Sequence, residues 1–198
     1  YYVEAYIVSS NYDVKRREKL TIIQREITYE GIEIETKSYD GTKNATANYT
    51  GAILTGVVEG EIIEIDNSTV SWSYEENYNA GVREATRRGE YVITGETVKN
   101  YKLVSNEKIN GIINPIELTV KVTVPSKPYD GTDVAQGVII ETVNTEDIIQ
   151  GEEELISYTY ESSLYENKNA GKDKEVKTSG IKVHYGSTPE EAINYKLK

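Results

Sequence analysis

Val120-Lys121-Val122-Thr123-Val124 alternates apolar and polar side chains without a break. A period of two sends one set of side chains to a core and the other to water, the signature of a strand. Ile32-Glu33-Ile34-Glu35 has the same pattern, and Ser71-Trp72-Ser73-Tyr74 and Ser157-Tyr158-Thr159-Tyr160 are aromatic versions of it. The composition around these runs leans the same way. There are 17 Tyr, one Trp, no Phe and no Met; Ile, Val and Thr are abundant and Leu is scarce, which fits a pleated, half-buried surface better than a helix. Gly, Asn and Asp separate the runs. The one stretch expected to make a helical turn is Thr188-Pro189-Glu190-Glu191-Ala192, with Thr188 as its cap. The chain is therefore expected to be all-β, built from sandwiches rather than from a parallel sheet with helices.

The sequence also repeats itself. Ser38-Tyr39-Asp40-Gly41-Thr42 returns as Pro128-Tyr129-Asp130-Gly131-Thr132, and Asn79-Ala80-Gly81 as Asn169-Ala170-Gly171, both after 90 residues. Asn100-Tyr101-Lys102-Leu103 returns as Asn194-Tyr195-Lys196-Leu197 after 94. Between these anchors, residue similarity matches Glu61-Ile62-Ile63 to Asp147-Ile148-Ile149 and Trp72 to Tyr158, a shift of 86. Two modules of about 90 residues follow, the size of a small β-sandwich. Tyr2-Val3 through Asn11-Tyr12 resembles Tyr91-Val92 through Asn100-Tyr101. Residues 1–20 are accordingly assigned to the closing hairpin of a preceding module, 21–112 to the first repeat and 113–198 to the second. The boundary is placed at the Asn-Gly and Asn-Pro signals between Asn110 and Pro115, read as a turn and short linker. With no Met, the chain reads as a piece of a longer array, with an edge at each end that could pair with a neighbour.

Composition narrows function. The 198 residues carry a formal charge of -11 and no Cys, which removes disulfide scaffolds, thiolate zinc sites and cysteine nucleophiles. An acidic chain without a basic cluster is not expected to bind nucleic acid. No apolar run reaches the roughly 18 residues of a membrane span, so no membrane insertion is expected, and no targeting signal is visible.

The recurring motifs read first as structure. Asp-Gly marks a tight turn, with Tyr39 and Tyr129 offering an apolar body and a hydroxyl able to reach a buried partner. Asn79 and Gly81, like Asn169 and Gly171, read as positive-φ positions of a turn. Asn100-Tyr101 and Asn194-Tyr195 read as ties from a loop to the sandwich. The same residues carry a resemblance. Lys37-Ser38-Tyr39-Asp40-Gly41-Thr42 and Lys127-Pro128-Tyr129-Asp130-Gly131-Thr132, followed by Asn-Ala-Gly and Asn-Tyr-Lys-Leu, resemble the YDG repeat of bacterial surface adhesins and the related MBG-type repeats. The resemblance implies tandem Ig-like β-sandwich modules, exported and set at the bacterial cell surface as a stalk or adhesive segment whose partners are neighbouring repeats. It supplies no catalytic residues.

Other readings are weighed against this one. A ligand surface for glycan or a host protein would use Tyr74, Tyr78, Tyr160 and Tyr165. Trp72 and Tyr158 are expected to face one way and Tyr74 and Tyr160 the other, so that the second pair could form an exposed patch. His184, the only histidine, alternates with Lys182 and is expected in solvent rather than in catalysis. No enzyme activity is expected and no cofactor. Calcium is the one candidate ion, through the acidic runs Glu152-Glu153-Glu154, Glu75-Glu76 and Asp130 with Asp133, whose plain reading is a solvated face. Lys37 and Lys127, with Asn79 and Asn169, could form isopeptide bonds beside a buried carboxyl; their plain reading is an edge lysine and a turn asparagine.

Overall fold

A computed structural model describes residues 1–9, 12–186 and 192–198. Of the helical turn expected at Thr188 to Ala192, residues 188–191 lie outside the described residues, as does Asn11 of the first Asn-Tyr pair. The protein is predominantly β: among the described residues, helical conformation is limited to the three-residue 3-10 turns Val98–Asn100, Thr145–Asp147 and Glu153–Leu155.

The chain divides into two compact units, and these do not follow the two sequence copies. One unit comprises Tyr1–Ile32, Tyr49–Val70 and Gly89–Glu107; the other comprises Glu33–Asn48, Ser71–Arg88 and Lys108–Lys198. The first unit holds an antiparallel hairpin of Tyr2–Ser9 and Tyr12–Lys19. It also holds a sheet in which Arg25–Glu30 pairs parallel with Tyr101–Ser105 and antiparallel with Ile53–Thr55, and a pair formed by Glu64–Asp66 and Val92–Thr94. The likeness of residues 2–12 to 91–101 therefore does not extend to strand pairing. Period-two strands place Ile27 and Tyr29 inward from Arg25–Glu30. The Tyr29 ring meets Tyr91 edge-on at 5.1 Å, the arrangement aromatic quadrupoles favour.

The second unit contains a five-stranded sheet in the order Lys37–Ser38, Lys108–Asn114, Gly81–Arg88, Ser71–Ser73, Asn44–Ala45. Lys108–Asn114 runs antiparallel to Gly81–Arg88 and parallel to Lys37–Ser38. Around it stand short pairs: Ile116–Leu118 with Tyr195–Leu197 in parallel, and Val120–Thr123 with Ile139–Thr142, Ile156–Thr159 with Lys182–Tyr185 and Ser162–Tyr165 with Val176–Ser179 in antiparallel. The boundary turn expected at Asn110 to Pro115 is thus corrected: most of it is a central strand. Gly111 serves that strand by its size, because a Cβ there would strike the Tyr74 hydroxyl and Ile34.

Hydrogen bonds also correct the internal alignment. The Tyr74 amide donates to the Lys43 carbonyl at 2.7 Å, and the Tyr165 amide to the Asp133 carbonyl at 2.8 Å, so Tyr74 corresponds to Tyr165 and Trp72 to Ser163, not to Tyr158. The Val58 amide donates to the Tyr101 hydroxyl and the Ile149 amide to the Tyr195 hydroxyl. Each of those hydroxyls donates to a glutamate, Glu61 and Glu152 respectively. Glu61 therefore corresponds to Glu152, not to Asp147.

Two facing expectations also fail. Trp72 and Tyr74 are both buried, being two apart on one strand face, while Tyr158 is half-buried and Tyr160 exposed. His184 is buried. Its Nε2 lies 2.7 Å from Thr159 Oγ1, and a hydrogen-bonded imidazole can be taken out of water at little cost.

Candidate functional site

The two Tyr-Asp-Gly-Thr segments fold alike. Asp40 Oδ1 accepts from the Thr42 amide and hydroxyl, each at 2.9 Å, and Asp130 Oδ1 accepts the same pair from Thr132 at the same distances. Gly41 and Gly131 follow with φ of 69° and 80°, values that side chains with a Cβ rarely adopt. A lysine closes each turn. Lys37 Nζ donates to Asp40 at 2.7 Å and to the Thr42 carbonyl at 3.0 Å. Lys127 Nζ donates to Asp130 at 2.9 Å and to the Thr132 and Val134 carbonyls at 3.1 and 2.8 Å. Each ammonium also lies 5.7 Å from an aromatic ring centroid, Tyr74 for Lys37 and Tyr165 for Lys127. The Lys127 ammonium, with the Thr132 amide and hydroxyl, holds the Asp130 carboxyl down at about 2. At Asp40 burial pulls the other way, but Lys37 and Thr42 prevail and lower it. The lysines, read from sequence as edge guards or cross-linking groups, are thus the third member of the turn, and neither ammonium bonds Asn79 or Asn169.

The Asn-Ala-Gly segments are held by a cation four to five residues on. Arg83 Nε donates to the Asn79 carbonyl at 2.8 Å and Arg83 Nη2 to the Ala80 carbonyl at 2.6 Å. Lys174 Nζ does the same for the Asn169 carbonyl at 2.6 Å. Gly81 has φ of 122°, whereas Asn79, Asn169 and Gly171 are not in the positive-φ region; in the second copy Asp173 is, at 52°. The positive-φ expectation for those three residues is therefore corrected.

The three motifs of the sequence converge at one place in the second unit. Asn194 of the second copy is buried, and its Oδ1 accepts from the Ala80 amide at 2.8 Å while its Nδ2 donates to Asn79 Oδ1 at 3.0 Å. Tyr39 of the first copy and Tyr195 of the second both donate to Glu152, at 2.9 and 2.5 Å. Their rings meet edge-on at 6.0 Å, and Tyr185 stacks on Tyr195 at 6.1 Å. The Tyr39 amide donates to the Asn114 carbonyl and the Ile116 amide to the Asn194 carbonyl, each at 2.8 Å, so the segment linking the copies is fastened from both sides. Burial, and then the bond to Glu152, raises the pKa of both phenols well above the ordinary tyrosine value. The arrangement is a joint: Tyr-Asp-Gly and Asn-Ala-Gly of one copy grip Asn-Tyr of the next.

Outside the joint, equivalent residues differ. Tyr39 is 6% exposed but Tyr129 is 66% exposed, which corrects the expectation of a buried partner for Tyr129. Asn169, Gly171 and Asn100 are exposed, while Tyr101 is buried with its hydroxyl on Glu61. The candidate ligand tyrosines do not gather in the open: Tyr74 is fully buried, Tyr78 and Tyr165 are half-buried, and the Tyr165 hydroxyl donates to the Pro125 carbonyl at 3.2 Å. Among the described residues no three His, Asp or Glu side chains are grouped to hold a metal ion. Sequence reasoning misses the role of Glu152 because it lies within an acidic run; it stands 43 residues before Tyr195 whereas Glu61 stands 40 before Tyr101, so no fixed spacing signals the pairing.

The profile of the YDG domain matches residues 23–108 and again residues 114–198. The chain belongs to the YDG domain family. It carries the YDG domain in tandem, and the joint described above lies between consecutive YDG repeats. No curated protein and no solved structure matches the chain.

Proposed function

We propose that this pair of YDG repeats is a non-catalytic structural segment of a bacterial cell-surface adhesin, a stretch of stalk in which each repeat is an Ig-like β-sandwich related to the MBG kind. The observation that carries the reading is the use made of the recurring residues. Tyr39, Asn79, Asn194 and Tyr195 are spent on fastening one repeat to the next, and Asp40 and Asp130 on turn geometry. Quasi-one-dimensional proteins derive their stiffness from such nearest-neighbour interfaces. A formal charge of -11 keeps a crowded array soluble and self-repelling, and the absence of Cys leaves packing rather than oxidation to hold the fold. The reading needs no cofactor. An antibody raised against the chain should label intact cells of the source bacterium. Labelling that appears only after the envelope is permeabilised would end the surface assignment.

A further inference from the structure

In the first repeat, Lys108–Asn114 fills a slot between Gly81–Arg88 and Lys37–Ser38, with Gly81 opposite Ile113 and Lys37 beside it. Ile113 is 1% exposed there. The matching place in the second repeat is open. Residues 172–175 and Lys127-Pro128, the counterparts of the two flanking strands, belong to no strand. Between them lies a cavity of about 500 Å³ lined by Val124, Lys127, Tyr129, Tyr165, Lys172 and Val176. Beside the slot, Tyr129, Asn169 and Ala170 are exposed, where Tyr39 and Ala80 are buried and Asn79 is bonded to Asn194.

The complementary half is present in the same chain. Residues 20–24 belong to no strand, and Ile22 and Ile23 are 74% and 82% exposed. This segment leads into Arg25–Glu30 as Lys108–Asn114 leads into Ile116–Leu118. Arg25 and Ile27 pair with Tyr101 and Leu103 as Ile116 and Leu118 pair with Tyr195 and Leu197. Counting back from these pairs, Ile22 stands where Ile113 stands. Leu20 falls at the place of Gly111, where Tyr74 and Ile34 leave no room; in the second repeat Val124 replaces Ile34, Tyr165 is drawn to the Pro125 carbonyl, and the cavity is open. Close to residues 20–24, the Asn100 side chain is exposed and the Tyr101 hydroxyl already holds Glu61, as Tyr195 holds Glu152 at the built joint.

We propose that the open slot of the second repeat is a docking site for residues 20–24 of a second copy of this chain, which add there as a strand while Asn100, Tyr101 and Glu61 of that copy close over Asn169 and Tyr129. The contact is strand addition to an unpaired edge, with main-chain bonds giving affinity and Ile22 giving register. It is heterologous, one end of a copy meeting the other end of the next, and so propagates into a line rather than closing a ring. The proposal rests on the tandem-array reading and names the residues by which such an array extends.

The absence of Cys provides the test. Full-length Ile22→Cys and Lys172→Cys chains, both altered at exposed positions, are mixed under oxidising conditions. The pair occupies the places of Ile113 and Gly81, neighbours across the strand ladder and within reach of a disulfide. The mixed disulfide should form at least about tenfold faster than that of Ile22→Cys with Ile139→Cys, an exposed position that does not line the cavity, because docking raises the effective thiol concentration. Tyr129→Ala in the Lys172→Cys chain should abolish the advantage. Equal rates for the two pairs, or an advantage that survives Tyr129→Ala, overturn the proposal. Failure of the array reading has a separate signature, loss of coupling at the built joint: an Ala80 amide that exchanges no faster after Asn194→Ala.

Discussion

The Tyr74 hydroxyl is buried against Gly111 and has no hydrogen-bond partner. A buried unsatisfied hydroxyl is a liability, so removing it can be neutral or favourable. Tyr74→Phe is expected to leave thermal stability unchanged or to raise it by up to about 1 kcal/mol. Gly111→Ala should cost about 1–3 kcal/mol, since its Cβ meets that hydroxyl and Ile34 in a packed core. The double variant Gly111→Ala with Tyr74→Phe should recover part of the loss, because the oxygen is one of the two obstacles. Denaturant melts of the three variants check this, and strictly additive effects would show that hydroxyl and Cβ do not meet. The turn aspartate makes a second prediction at this scale. Asp130 is held at about 2, below its unfolded value of about 4. Its contribution is therefore fully present above about pH 4 and is lost as the pH falls toward 2. Asp130→Asn should flatten that part of the acid stability profile and leave the profile above pH 5 parallel to the parent's.

At the scale of elements, the joint couples a side chain in one repeat to a main-chain amide in the other. Asn194→Ala removes the acceptor of the Ala80 N–H and the donor to Asn79 in a buried setting. The loss should be about 1–3 kcal/mol, and hydrogen exchange of the Ala80 amide, 114 residues away in sequence, should accelerate. An Ala80 amide that keeps its protection would show that the joint is not what shields it. This coupling marks the limit of what the sequence discloses. Val120-Lys121-Val122-Thr123 discloses its strand because the period is local, and the three motifs disclose a repeat because their residues recur. The partner of Asn79 is not disclosed, since nothing local says that an asparagine in one copy will meet an asparagine in the next. Similarity also misleads where ladders decide. Trp72 and Tyr158 look equivalent, yet the Tyr74 and Tyr165 amide bonds set Trp72 against Ser163. Asn110-Gly111 looks like a turn, yet Gly111 is small because Tyr74 and Ile34 press on a central strand. His184 looks solvated beside Lys182, yet Thr159 supplies a partner that lets the ring be buried.

On the scale of the whole molecule, the compact units cut across the repeats, and Glu33–Asn48 and Ser71–Arg88 of the first repeat cluster with the whole of the second. Unfolding should therefore proceed by these units rather than repeat by repeat, with the Tyr39–Glu152–Tyr195 contact inside one of them. That contact carries its own pH dependence. Burial and the Glu152 carboxylate raise the pKa of both phenols above their unfolded value of about 10. Groups shifted in this direction leave stability fully present below about pH 10 and withdraw it as the pH rises through that value toward the folded pKa. A phenolate formed there would sit beside a carboxylate it now serves as donor, in a chain whose net charge is already -11. Tyr39 and Tyr195 should ionise only together with loss of the fold, seen as a cooperative step in the ultraviolet phenolate absorbance. Glu152→Gln removes the carboxylate that accepts both hydroxyls, and so both weakens the joint and lowers the phenols' resistance to ionisation. Above pH 10 the two effects oppose each other, because a phenolate no longer faces a carboxylate; stability at pH 7 should fall, and its decline through the alkaline range should become shallower. A stability at pH 7 left in place by Glu152→Gln would mean that the joint does not limit the stability of that unit, and that the packing of Ile113, Leu118 and Tyr195 holds it together without help from the shared glutamate.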